Sequence, residues 1–168
     1  MIKEIKIATI LPYKENYTVS KAQAAAIWVN DFFKYSKYRK NNFIFGNTDT
    51  KDYLTKNYIN VKLNKKNSKF SSTTNEYCDN FIKISNKYDF DIIEIHNRPL
   101  VFNYLKSKIN RKFILYFHND PMSMKGSKST PERISLINNV DKIIFVSKWV
   151  QNRFFNGIDK KLIDKTEV

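Results

Sequence analysis

At 168 residues the chain is long enough for one domain with a substantial core and too short for two large ones. A hydrophobic share of 42% and an aromatic share of 15% exclude a disordered polyelectrolyte, although 30 Lys and Arg against 16 Asp and Glu leave a formal charge of +14. That excess points to an acidic partner or surface (nucleic acid, anionic lipid or a phosphorylated ligand), or simply to a usage biased toward Lys, Asn and Ile. The single Cys78 excludes an internal disulfide framework, sits among helix-spaced apolar residues as a core thiol, and fits a reducing compartment. No segment approaches the roughly 18 apolar residues of a membrane span. Residues 5–11 lack a signal-peptide cleavage pattern, so a cytoplasmic protein is expected.

Apolar runs of strand length alternate with segments of helical period. IKIATIL (5–11) predicts a first strand, and the polar loop PYKENYTV leads to a helix from Ser20. There Ser20 and Gln23 form a capping box, and Ala22, Ala25, Ala26, Val29, Phe32 and Phe33 an apolar stripe. NFIFG (42–46) and YINVKL (58–63) predict the next two strands. After the polar connector 64–72, Thr73 and Glu76 predict a second capping box, for a helix presenting Tyr77, Phe81, Ile84 and Tyr88 on one face.

The second half repeats the rhythm. DIIEIH (91–96) is a predicted strand; Asn97 then caps a helix with Pro99 in its first turn and Leu100, Val101, Tyr104 and Leu105 inward. FILYFH (113–118) is the next strand, and Ser129, Pro131 and Glu132 open a short helix through Leu136 and Ile137. KIIFV (142–146) precedes a helix capped by Ser147 and stopped by Gly157. Nearly continuous apolar strands separated by helices predict a doubly wound α/β domain of six or seven mostly parallel strands, Rossmann-like in layout. With three glycines in the chain, no Gly-rich nucleotide fingerprint or Walker loop is available.

In such a sheet, ligands bind beyond the carboxyl ends of the strands. Those ends carry Pro12 to Asn16 with Tyr13 and Lys14, then His96, Asn97 and Arg98, then His118, Asn119 and Asp120, and finally Ser147. Both histidines of the protein fall on strand ends, which is the strongest pointer to a site. Each residue also has a plainer reading: His96, Asn97 and Arg98 as a helix start, Asp120-Pro121 as a turn, Ser147 as a cap. His118 ends the most apolar strand and precedes the long loop NDPMSMKGSKS, the kind that folds over ligands. No zinc-ligand spacing and no serine-hydrolase signature is present. The dispersed lysines show no nucleic-acid reader motif, which makes nucleic acid an unfavoured partner.

The segment IEIHNRPLVFNYLK, followed by FILYFHNDPMSMKGSKSTPERISLINNVDKIIFVSKWVQNRFFNGI, resembles the amino-terminal half of retaining GT-B glycosyltransferases of family-4 type, as found in bacterial polysaccharide and lipopolysaccharide assembly. The likeness is strongest over 91–158 and weaker over 1–36. It implies that residues 1–168 are a single acceptor-side domain whose carboxyl-terminal partner domain binds the nucleotide sugar, a UDP- or GDP-sugar used as substrate, with no metal and no covalent cofactor required. Such proteins run on into an interdomain linker where this chain ends at KTEV, so the piece alone is expected to be inactive. The resemblance places His118 beside the transferred sugar as the catalytic residue, with Asn119 and Asp120 shaping that pocket. The loop Pro12 to Ser20 would face the donor diphosphate; where the family has glycine near the following helix start, this chain has Gln23-Ala24-Ala25. His96, Asn97 and Arg98 would contact acceptor, as would Lys125, Ser127, Glu132, Arg133, Tyr13 and Lys14. A glycan or lipid-linked acceptor is implied, and with it a peripheral position at the anionic inner face of the cytoplasmic membrane through basic stretches such as KKNSK (65–69). Two other readings remain open: a noncatalytic glycan- or nucleotide-binding module, and a basic nucleic-acid-binding domain.

Overall fold

The computed structural model describes residues 4–64 and 72–168; KKNSK and the rest of 65–71 lie outside the described residues. In chain order the elements are β1 (Ile7–Ile10), α1 (Ala24–Tyr35), β2 (Asn42–Gly46), β3 (Tyr58–Asn60), α2 (Thr73–Ser85), β4 (Ile92–His96), α3 (Pro99–Lys106), β5 (Lys112–Phe117), α4 (Thr130–Asn139), β6 (Lys142–Phe145), α5 (Lys148–Phe154) and β7 (Thr166–Glu167). The seven strands form one parallel sheet in the order β3-β2-β1-β4-β5-β6-β7, flanked by helices, which is the doubly wound, Rossmann-like α/β layout expected. The chain divides into two compact units after Ile93.

In the first unit, β1 is buried at every position, as a strand covered on both faces requires. Leu11, Tyr17, Ala26, Val29, Ile44 and Tyr58 form one core cluster, with the Tyr17 and Tyr58 rings stacked 5.1 Å apart. Tyr77 of α2 is fully buried and its hydroxyl donates to the carbonyl of Leu11 at 3.0 Å, satisfying a polar group that burial would otherwise make costly. Cys78 is buried as predicted, and burial pushes its thiol up to about 12.

Two predicted capping boxes do not form. Ser20 gives both its N–H and its hydroxyl to the Asp52 carboxylate (3.0 and 2.8 Å), a stronger acceptor than the helix offers, so α1 begins only after Gln23. Thr73 lies inside α2, whose cap position is Ser72 without a side-chain bond, and Glu76 instead accepts from the N–H of Asn64 at 2.7 Å. The apolar stripe of α1 is narrower than predicted: Ala25, Ala26 and Val29 are buried, whereas Phe32 stays half exposed and stacks on Trp28 at 5.4 Å. β3 stops at Asn60, short of the predicted 63.

In the second unit, Phe117 of β5, Phe145 of β6 and Phe154 of α5 pack ring on ring with centroids 5.3 to 5.7 Å apart. Each side chain so buried stabilises the fold by about 1.5–3 kcal/mol. Helix α4 opens at Ser129 as predicted, through a capping box not among those predicted: the Ser129 hydroxyl accepts from the Glu132 N–H and the Glu132 carboxylate from the Ser129 N–H. Ser147 caps α5, and Gly157 with φ 75° turns the chain after it. In α3 Phe102 is buried, while Leu100 is exposed and Tyr104 half-buried, so the inward face is rotated from the predicted one. The segment KTEV, read as a terminus, contributes β7, which pairs with β6 in parallel register.

Candidate functional site

β4 and β5 are neighbours in the sheet, and side chains two apart on a strand share a face. Glu94 and His96 therefore meet Tyr116 and His118. The Tyr116 ring stacks on His96 at 4.4 Å with an interplanar angle of 8°, and the Tyr116 hydroxyl donates to the Glu94 carboxylate at 3.4 Å. His96 Nδ1 and His118 Nε2 are 2.8 Å apart. At that distance one nitrogen must donate and the other accept, so at least the accepting ring is neutral and the protonation of the two rings is linked.

The electrostatics agree with this geometry. Burial is the main cause that pulls His96 well below the ordinary imidazole range, and the neighbouring His118 adds to it. His118, partly exposed at the strand end, is held down to about 4 by burial. Burial likewise raises the Tyr116 phenol, with the Glu94 charge adding to it. At neutral pH both imidazoles are uncharged, and the partly exposed His118 is the one placed to hydrogen-bond a hydroxylated ligand, with His96 buried behind it.

Asn97 does not cap α3. Its backbone is left-handed (φ 53°), a region asparagine tolerates better than most residues, and Arg98 takes the cap position. The Asn97 side-chain oxygen accepts from the backbone N–H of His118 (2.7 Å) and of Asn119 (3.3 Å), while its own N–H donates to the Tyr116 carbonyl at 2.8 Å. Asn97 thereby clamps the end of β5 and orients His118. Arg98 donates to the Asn97 carbonyl at 3.0 Å.

Asn119 is exposed next to this cluster. Asp120 turns away to hold Arg153 through both carboxylate oxygens, with Nε 3.2 Å from each and Nη2 2.9 Å from Oδ2, and it also accepts from the Met122 N–H. The Arg153 hydrogen bond keeps the Asp120 carboxyl below the usual carboxylate range. Lys125 is exposed on the following loop. The next three predicted contacts are occupied structurally. Ser127 is fully buried and donates to the Pro121 carbonyl at 2.7 Å; Glu132 serves the α4 capping box. Arg133 is only 1% exposed and donates to the carbonyls of Phe154, Ser127, Lys128 and Asn156. These three brace the 121–133 loop, with their polar atoms engaged by the protein itself.

Tyr13 and Lys14 belong to the first unit. The Tyr13 ring lies 5.9 Å from Tyr77, its carbonyl accepts from Asn47 Nδ2 at 3.1 Å, and Lys14 is exposed. The residues not foreseen are Glu94, Tyr116 and Arg153. The spacing of Glu94 to His96 and of Tyr116 to His118, two residues each, was the signal that would have found the first two. Among the described residues no three or more His, Cys, Asp or Glu side chains converge as a metal-binding group, and no helix is long and apolar enough to cross a membrane.

No protein-family model matches the sequence, and no curated protein matches it. Solved structures do match the fold. The sucrose-phosphate synthase of Thermosynechococcus elongatus superposes with a TM-score of 0.67 at 14% identity, over 97% of this chain and 47% of its own. A glycosyltransferase from Rickettsia africae ESF-5 gives 0.64 at 20% identity, over 98% of this chain and 42% of its own. A shorter form of the same synthase gives 0.59 at 13% identity, over 90% of this chain and 81% of its own. The chain therefore shares the α/β fold of these proteins and spans about half the length of the first two.

Proposed function

We propose that the chain is the acceptor-side half of a GT-B glycosyltransferase that moves a sugar from a UDP- or GDP-sugar to a glycan or lipid-linked acceptor with retention of configuration. The observation that carries this reading is His118: a neutral imidazole at the end of a buried parallel strand, held from behind by His96 and clamped by Asn97. Residues 91–158 carry the sequence resemblance, and the fold shared with a glycosyltransferase over nearly the whole chain supports it. In the reaction the bond from the sugar's anomeric carbon to the diphosphate oxygen breaks and a bond to the acceptor hydroxyl oxygen forms on the same face, the hydroxyl proton passing to the departing diphosphate. His118 hydrogen-bonds the sugar as positive character builds at the anomeric carbon, and Asn119 shapes the pocket beside it. The donor sits on a second domain, so the 1–168 piece alone is inactive in transfer.

The experiment is transfer from UDP- and GDP-sugars by the protein with its second domain, comparing His118→Ala with the parent. A loss of about 100-fold with an unchanged melting temperature is expected. Unchanged transfer in the variant would remove His118 from the mechanism, and the absence of any transfer or donor hydrolysis would remove the enzyme reading. Proton NMR of the first product decides retention by its anomeric coupling. We infer also that the net charge of +14 holds the protein against the anionic inner face of the cytoplasmic membrane. Each basic residue near lipid contributes about 1 kcal/mol. Sedimentation with phosphatidylserine vesicles at low salt, reversed at high salt, is the expected result; no binding at low salt would dismiss it.

A further inference from the structure

The connection from β2 to β3 in the first unit is long for so short a distance, and it is built rather than loose. The N–H of Thr48 donates to Asn60 Oδ1 at 3.0 Å and Asn60 Nδ2 donates back to the Thr48 carbonyl at 2.9 Å, a two-bond clasp between the carboxyl ends of neighbouring strands. Thr48 is 5% exposed, and its hydroxyl donates to Asn16 at 2.9 Å. Tyr53 is held by a bridge to Thr18 and by its ring lying 4.6 Å from that of Tyr58. These bonds frame a half-open cleft of about 300 Å³, lined by Asn47, Asp49, Lys51, Tyr53, Asn60 and Lys62 among others. The volume is at the small end of ligand pockets, which span about 300–1,000 Å³.

The lining chemistry is specific in kind. Lys51 and Lys62 line the cleft with Asp49 as the one acidic residue, which leaves a surplus positive charge; ammonium groups bind anions as strongly hydrated point charges. Amides and a carboxylate offer hydrogen bonds of both senses, as a polyhydroxyl ring requires, and Tyr53 supplies a flat apolar wall. An acyl chain would find too little apolar surface here. The position beyond the ends of β2 and β3 is where parallel sheets receive ligands.

We propose that this cleft is a binding subsite for a single sugar bearing an anionic group, carboxylate or phosphate, held by Lys51, Lys62 and Asn47, with Asp49 accepting from the sugar hydroxyls. It names the acceptor class of the proposed transferase and rests on that reading. Titration of the ¹⁵N-labelled chain with glucuronic acid, glucose 6-phosphate, glucose and inorganic phosphate tests it. Both or either of the anionic sugars should shift amides in 47–53 and 60–63 and bind about tenfold tighter than glucose or phosphate, as one charge-assisted bond implies. The preferred one identifies the source of the charge. Lys51→Gln and Lys62→Gln, both at exposed positions, should each abolish most of that preference without shifting the melting temperature. Equal binding of glucose, equal binding of phosphate, shifts elsewhere, or no shift with either anionic sugar would each overturn the proposal. The titration uses neither donor nor His118, so its failure leaves the transferase reading intact, and an inactive enzyme with intact binding overturns only that reading.

Discussion

The Nδ1 of His96 stands 2.8 Å from the Nε2 of His118, and the two rings share one proton between those atoms. A second proton there would set N–H against N–H. Both imidazoles are held below their ordinary range, mainly by burial. An unfolded imidazole takes up its proton near pH 6.5, about the ordinary value. The unfolded state therefore binds more protons than the folded one as pH falls below that point, until His118 itself protonates at about 4. Stability should thus be complete above about pH 6.5 and decline from there toward pH 4, by at most about 1.4 kcal/mol per pH unit for each ring. Urea denaturation at pH 7.5, 6 and 5 measures this. A flat profile would show that the pair is solvated and protonates freely.

Asn97 combines a left-handed backbone with two accepted hydrogen bonds, so its variants separate the two effects. Asn97→Gly keeps the backbone comfortable and loses the clamp, at a cost of about 1–3 kcal/mol for the orphaned His118 N–H. Asn97→Ala adds backbone strain of about 1 kcal/mol or more, and Asn97→Asp, which retains the acceptor, should be mildest. Thermal melts should place Asn97→Asp highest, Asn97→Gly next and Asn97→Ala lowest. If Asn97→Gly melts with the parent, the clamp has no energetic weight.

Arg133 is a buried cation whose donors end on backbone carbonyls from two separate loops. Lysine has a point-like ammonium and cannot reach them together, so Arg133→Lys should cost about 3 kcal/mol, close to the cost of Arg133→Met. Calorimetry of both variants checks this. A lysine variant as stable as the parent would mean that charge alone, without the planar fork, holds the loop.

Gly126 has φ 90°, and a Cβ built there would meet the Leu100 side chain at 3.0 Å and the Leu100 backbone N at 3.2 Å. Gly126→Ala therefore combines backbone strain with a clash against the start of α3, for about 1–3 kcal/mol. Its melting temperature should fall. An unaltered value would mean that the 121–129 loop shifts at no cost.

The strands and their parallel arrangement were legible because buried parallel strands read as unbroken apolar runs, and IATIL, NFIFG and FILYF are such runs. Both histidines were found on strand ends for the same reason. The capping boxes at Ser20 and Thr73 were misread since a local motif competes with distant acceptors and donors: Asp52 takes Ser20, and Asn64 engages Glu76. At Ser129, read only as a helix start, the local Ser129–Glu132 pair does form the box.

Within this chain, composition and periodicity alone determined the α/β class, the order of its main elements, the buried Cys78 and the positions of His96 and His118 at strand ends. Tertiary structure alone decided that these two rings touch, that Asn97 clamps a strand rather than capping a helix, that Arg133 is a buried brace, and that the β2–β3 connection frames a half-open cleft. The physical reason is range. Hydrophobic burial repeats along the chain and is written in local pattern, whereas a hydrogen bond is decided by whichever donor and acceptor the fold brings within about 3 Å.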